Sequence, residues 1–149
     1  MSKQRIYSSL LALGACIFLY RTVTMLYQGA LNILVVWVSI LLIAELLIDL
    51  SCLISSVFWW IKNDKIYAKI PLRLGAAAAI LHAIRVFIFV LGRVGPWIDF
   101  DVRPEQRAIH YTRWTWTGVY FAAIMSVLGI IGVITIWYII RSRKNQKAY

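Results

Sequence analysis

Residues 31–61 read LNILVVWVSILLIAELLIDLSCLISSVFWWI, and the reading of this stretch decides the fold. Its charges are Glu45 and Asp49, and neither proline nor glycine interrupts it. An apolar run of roughly 18 residues or more is long enough to cross the ~30 Å hydrocarbon core of a bilayer as a helix. At 1.5 Å per residue this run would measure about 46 Å, half as long again as that core. Two spans would need about 40 residues and a turn. The stretch therefore predicts one long helix, tilted or projecting beyond the membrane. Trp59 and Trp60 near its end read as interfacial anchors.

Working outward, three more apolar runs flank it: residues 6–27, 72–92 and 114–140. The first follows Lys3 and Arg5, as a signal peptide would. It is too long for one, however, and Tyr20, Arg21 and Tyr27 crowd the place where a cleavage site would fall. A basic loop, Asn63 to Pro71, separates the second run from the third, and Gly95 and Pro96 block continuation of the third. The connection from there to Arg113 is polar enough for a short surface helix, with Trp97 dipping into the interface. The expectation is an all-α, polytopic membrane protein. Residues 1–149 form a single domain, a bundle of four transmembrane helices with spans at about 6–27, 31–61, 72–92 and 114–140.

Composition agrees. Of 149 residues, 62% are hydrophobic and 15% charged, against roughly 45–50% and 25% in soluble domains. The formal charge of +10 would suggest nucleic acid in a soluble protein. Here the basic residues sit at the ends of apolar runs, where they orient helices and meet anionic headgroups, so no nucleic-acid partner is expected. Lys3, Arg5, Lys62, Lys65, Lys69, Arg73, Arg141, Arg143, Lys144 and Lys147 fall at one end of the spans. Arg93, Arg103, Arg107 and Arg113 fall at the other. That bias predicts both termini on the cytoplasmic side of the membrane.

Helices in lipid associate through close backbone approach and polar contacts, because lipid tails are as apolar as leucine. Small residues recur every four positions at Gly75, Ala79 and Ala83, at Gly118, Ala122 and Ser126, and at Ser8, Ala12 and Cys16. These stripes mark packing faces, within one chain or between copies. Cys16 and Cys52 lie in apolar runs without a CxxC or Cys/His cluster, so they read as small buried hydrophobes. Asp99 and Asp101 lack a third ligand, and neither a metal nor another cofactor is expected.

The chemically informative residues are Glu45 and Asp49 in the second span and His82 and Arg85 in the third. Spacings of four and three place each pair on one helix face. Each lone charge at the bilayer centre costs about 2.5–3.5 kcal/mol on insertion scales, so these side chains should turn inward. Glu45 and Arg85 lie at matching depths in antiparallel helices, which makes them the expected pair, with Asp49 deeper toward the inner side. The cluster reads equally as an ion or ligand site and as polar glue between helices. Arg21, close to the end of its run, is expected to snorkel to headgroups. His110, beside Trp114 and Trp116, reads as part of an aromatic belt.

The chain lacks the cysteine pattern and large outer loop of tetraspanins, and the long first outer loop of claudins. Glu45 in one span and His82 in the next resemble the acidic membrane site of the four-span sterol-isomerase-type family, which implies a lipid or sterol site. The first span has no acidic residue and the second is unusually long, both departures from that pattern, so no family is assigned. Three functions follow. One is a non-catalytic subunit or assembly partner that binds other membrane subunits or itself. The second is an oligomeric proton or cation transporter or channel using the cluster, and the third is a lipid- or sterol-binding or -modifying membrane enzyme. No nucleophile–base pair, metal-ligand spacing or phosphate loop occurs, which favours the first.

Overall fold

The computed structural model describes residues 2–94, 100–113 and 116–145, and these form an all-α bundle. The first span, α1, runs Lys3–Tyr27 and is capped by the Ser2 hydroxyl, which accepts the Arg5 amide. A single turn, α2 (Ala30–Ile33), leads into α3 (Val36–Lys62). A 3₁₀ turn at Lys65–Ala68 precedes α4 (Lys69–Leu91). The second connection contains a 3₁₀ turn at Pro104–Gln106 and the short helix α5 (Arg107–Arg113), followed by α6 (Trp116–Asn145). α1, α3, α4 and α6 are each long and apolar enough to cross a membrane. They alternate in direction, so the start of α1 and the end of α6 lie at one end of the bundle, the terminal face, and α5 lies at the other, the loop face.

The expected continuous helix over 31–61 is broken. Leu34 and Val35 are extended, with ψ of 150° and 156°, and α3 starts only at Val36. The break has a tertiary cause. The Val35 amide donates to the Asp101 carbonyl and the Arg103 amide to the Ile33 carbonyl, making a β-bridge between Leu34 and Val102. The Arg103 guanidinium adds a bond to the Leu34 carbonyl. Backbone groups freed from the helix are thus satisfied by a loop nearly 70 residues away, which residue order alone does not announce. What remains of the second span is 27 residues, about 40 Å.

Other boundaries move by a few residues. α4 starts at Lys69 rather than Leu72, because Pro71 lies in the first turn, where a missing N–H costs nothing. α3 closes on Asn63, the one non-glycine residue with positive φ (52°) among the described residues. Ser2 and Asn63 join their side chains across the terminal face. Trp97, Asp99 and Trp114 lie outside the described residues. Trp59 is not an interfacial anchor. It is fully buried beside Leu11, Ala68, Leu72 and Ile136. Trp60 does sit at the surface, where the Arg5 guanidinium stacks 5.1 Å from its ring.

The buried positions explain the packing. On α1 they are Ser8, Leu11, Ala15, Phe18, Thr22 and Met25, and on α3 Val38, Leu42, Glu45, Asp49, Cys52, Ser56 and Trp59. Both series alternate steps of three and four, the 3.5-residue period of helices wrapped in a left-handed crossing. α1 packs on α3, α3 on α4, and α4 on α6, while α1 meets α4 only in part and barely touches α6. The small residues expected to pack lie as follows. Gly75 and Ala79 are buried, and Ala79 faces Gly129 of α6, where an added Cβ would stand 3.3 Å from that of Ala79. Ala83 is half-buried, Ser126 is buried and bonds the Ala122 carbonyl, and Gly118 faces Arg21. On α1, Ser8 is buried but Cys16 is exposed, so that stripe is not the packing face.

Candidate functional site: an intramembrane ion network

The inward stripe of α3 presents Glu45 and Asp49 one turn apart, and α4 presents His82 and Arg85 on its facing side. All four are buried, both carboxylates completely. Arg85 Nε donates to both oxygens of Glu45, at 2.8 and 2.7 Å. Its Nη2 lies 2.9 Å from His82 Nδ1, and its Nη1 approaches Met25 Sδ of α1 at 2.7 Å. A guanidinium can only donate. His82 Nδ1 is therefore the acceptor, which puts the ring proton on Nε2, 3.0 Å from Asp49 Oδ2. The Thr22 hydroxyl of α1 donates to the same oxygen at 3.2 Å. Phe18, one turn earlier on α1, stacks on the His82 ring, with centroids 4.3 Å apart and planes 15° from parallel.

The result is one chain of contacts, Glu45–Arg85–His82–Asp49–Thr22, that ties three helices together at mid-depth. The deeper acid thus bonds histidine and threonine, and the guanidinium goes to Glu45. The sequence reading named the four ionisable residues but not Thr22, Phe18 or Met25. Residue order gives no signal for them: all three lie on the α1 stripe from Ser8 to Met25, which burial in the structure reveals. Asp49 Oδ1 is buried without a hydrogen-bond partner. Within this chain of contacts there are two carboxyl groups for one guanidinium.

Toward the loop face, a cavity of about 40 Å³ separates Arg85 from the connection above it, lined by Arg21, Met25, Leu34, Asp101 and His110 among others. That exceeds the ~10–15 Å³ a single water needs. Arg21 does not snorkel outward. Its Nη2 donates to the Gly118 carbonyl of α6 at 3.3 Å, beside the cavity. Above, Arg93 pairs with the buried Asp101 at 2.9 Å and donates to His110 Nε2. Gly92 makes room for this pairing, since a Cβ there would stand 2.6 Å from Asp101 Oδ1. Burial and the adjacent Arg93 push the His110 pKa down to about 4, so its ring is neutral at pH 7. His110 is thus buried in the cap rather than part of an aromatic belt.

Among the described residues, no group of three or more histidine, cysteine or acidic side chains is arranged to hold a metal ion. Comparison with protein-family models, with curated proteins and with solved structures finds no match for the chain.

Proposed function

We propose that this small multi-pass membrane protein is a non-catalytic subunit or assembly partner in a membrane complex. The observation that carries the reading is how the ion network is used. Arg85, His82 and Thr22 direct their hydrogen bonds to partners within α1, α3 and α4, and the carboxylates have no exposed surface. Such a network fixes which helix faces meet, as polar contacts do in lipid. It joins α1, α3 and α4 by one set of polar contacts, while α6 packs mainly on α4, and the outward faces carry plain apolar residues for a neighbour. Extraction in mild detergent, with native mass spectrometry and crosslinking before extraction, tests this. A stable complex with another membrane protein or with further copies is expected. A lone monomer under every mild condition would overturn the reading.

Sidedness belongs to the same proposal, with the terminal face cytoplasmic by its excess of Lys and Arg. Cysteines placed at Lys65 and Lys144 should resist an impermeant thiol reagent applied outside, while one at Arg103 should react. Labelling at positions 65 and 103 from the same side would sink the topology.

One observation favours a second reading, transport of protons or cations. The network has two carboxyl groups for one guanidinium, and Asp49 Oδ1 has no partner. Purified protein in liposomes should then pass protons, Na⁺ or K⁺ down a gradient, and Asp49→Asn should stop it. Absence of flux under any gradient removes this reading.

A further inference from the structure

The seam between α1 and α6 is open, and its terminal half is a groove of about 570 Å³, within the ~300–1,000 Å³ typical of small-molecule sites. Leu10 and Gly14 of α1 and Leu128 and Gly132 of α6 form its walls, with Gly75 and Ala78 of α4 as its floor. An added Cβ at Gly14 or Gly132 would meet nothing within 4 Å, so the glycines widen the groove rather than bring helices together.

We propose that this groove binds one acyl chain of an anionic phospholipid from the leaflet at the terminal face. Three features select that occupant. The groove is apolar along its length, and it opens sideways to lipid because α1 and α6 barely meet. From Tyr7 to Phe18 it runs about 16 Å at 1.5 Å per residue, close to half of a ~30 Å hydrocarbon core and so one leaflet deep. Phe18 closes it at mid-membrane, held in place by the ring of His82. Finally, its mouth is basic. Lys3 continues the α1 stripe through Tyr7, Leu10 and Gly14 at steps of four, three and four, which puts an exposed cation directly above the groove. Lys62, Lys65, Lys69, Arg73 and Arg141 belong to the same end of the bundle, where Asp64 is the one acid among the described residues. A chain seated here would be held by contact along its length, and its headgroup by charge. The site stands whether or not the chain has a protein partner.

The test uses phosphatidylglycerol with a photoreactive diazirine in its acyl chain, in phosphatidylcholine vesicles containing the full-length protein. Adducts should concentrate on residues 7–18 and 125–139, several-fold above those on the outward residues of α3 such as Leu47 and Ile54. Gly132→Leu and Gly14→Leu each fill the groove from an open position, so groove adducts should vanish while α3 adducts persist and thermal stability does not fall. Lys3→Gln should reduce the preference for phosphatidylglycerol over a phosphatidylcholine analogue roughly fivefold, the factor one basic residue supplies near an anionic surface. Adducts spread evenly over all lipid-facing residues, or groove adducts that persist in both leucine variants, would overturn the site. Equal labelling by the neutral analogue would overturn its anionic selectivity. A seam filled by a second copy, seen as disulfide-linked dimers of Gly132→Cys in a Cys16→Ser background, would also overturn it.

Discussion

Replacing Arg85 by leucine should damage the bundle more than replacing Glu45 by leucine, because the network holds two carboxyl groups for one guanidinium. Breaking a buried pair from one side typically costs about 3–5 kcal/mol, mostly from the charge left behind. In Glu45→Leu the remaining charges are Arg85 and Asp49, and His82 bridges them with bonds of 2.9 and 3.0 Å. Opposite charges remain in one network, so the loss should fall near the low end, about 3 kcal/mol. In Arg85→Leu two fully buried carboxylates lose their cation. The nearest basic group to Glu45 is then His82, whose Nδ1 is 3.7 Å from Oε2. That loss should reach the upper end, about 5 kcal/mol. The double variant leaves Asp49 with its His82 and Thr22 donors, the arrangement it already has, and should recover much of the sum. Equilibrium unfolding in mixed detergent micelles, followed by tryptophan fluorescence, gives all three values and the coupling between them. The coupling should exceed the ~0.6 kcal/mol average of intramembrane hydrogen bonds. Additive losses, or a larger loss for Glu45→Leu than for Arg85→Leu, would refute the argument.

The same count makes Asp49→Asn a contrast. Asparagine keeps an oxygen for His82 and Thr22 and removes the second carboxyl group, so unfolding stability should be unchanged or higher, whereas Glu45→Gln should lower it. On α6, Gly129→Ala puts a Cβ 3.1 Å from Phe18 Cζ and 3.3 Å from Ala79 Cβ and should cost about 1–3 kcal/mol by overpacking. Gly132→Ala, in open space, should gain up to ~1 kcal/mol of helix propensity, and the same unfolding assay ranks the two. For the loop-face cap, the His110 pKa of about 4 lies below the 6.5 of a free histidine. Between those values the unfolded chain binds the extra proton. The stability from neutral His110 is therefore complete above pH 6.5 and lost as pH falls toward 4. Amide exchange in residues 100–110 should accelerate over that window, and His110→Gln should flatten the response.

Four apolar stretches, their lengths and the basic bias at one end were legible in residue order, because crossing ~30 Å of hydrocarbon demands a length and forbids unpaired backbone. The level of Glu45 against Arg85 was legible too, since each falls near the middle of its own run. The inward faces of α3 and α4 were legible from their charges, but that of α1 was not. In water a helix declares its core face by amphipathic periodicity, but in lipid a leucine outside and a leucine inside are equally at home. So α1 gave no sign that Phe18, Thr22 and Met25 would close the network, and Trp59 read as an anchor when it is core. The break at Leu34 and Val35 was hidden for another reason. No proline or glycine marks it, and it exists because a loop nearly 70 residues away offers those amides and carbonyls other partners. The open seam between α1 and α6 likewise depends on how three helices are clasped before the fourth is placed, and only the tertiary structure decides that.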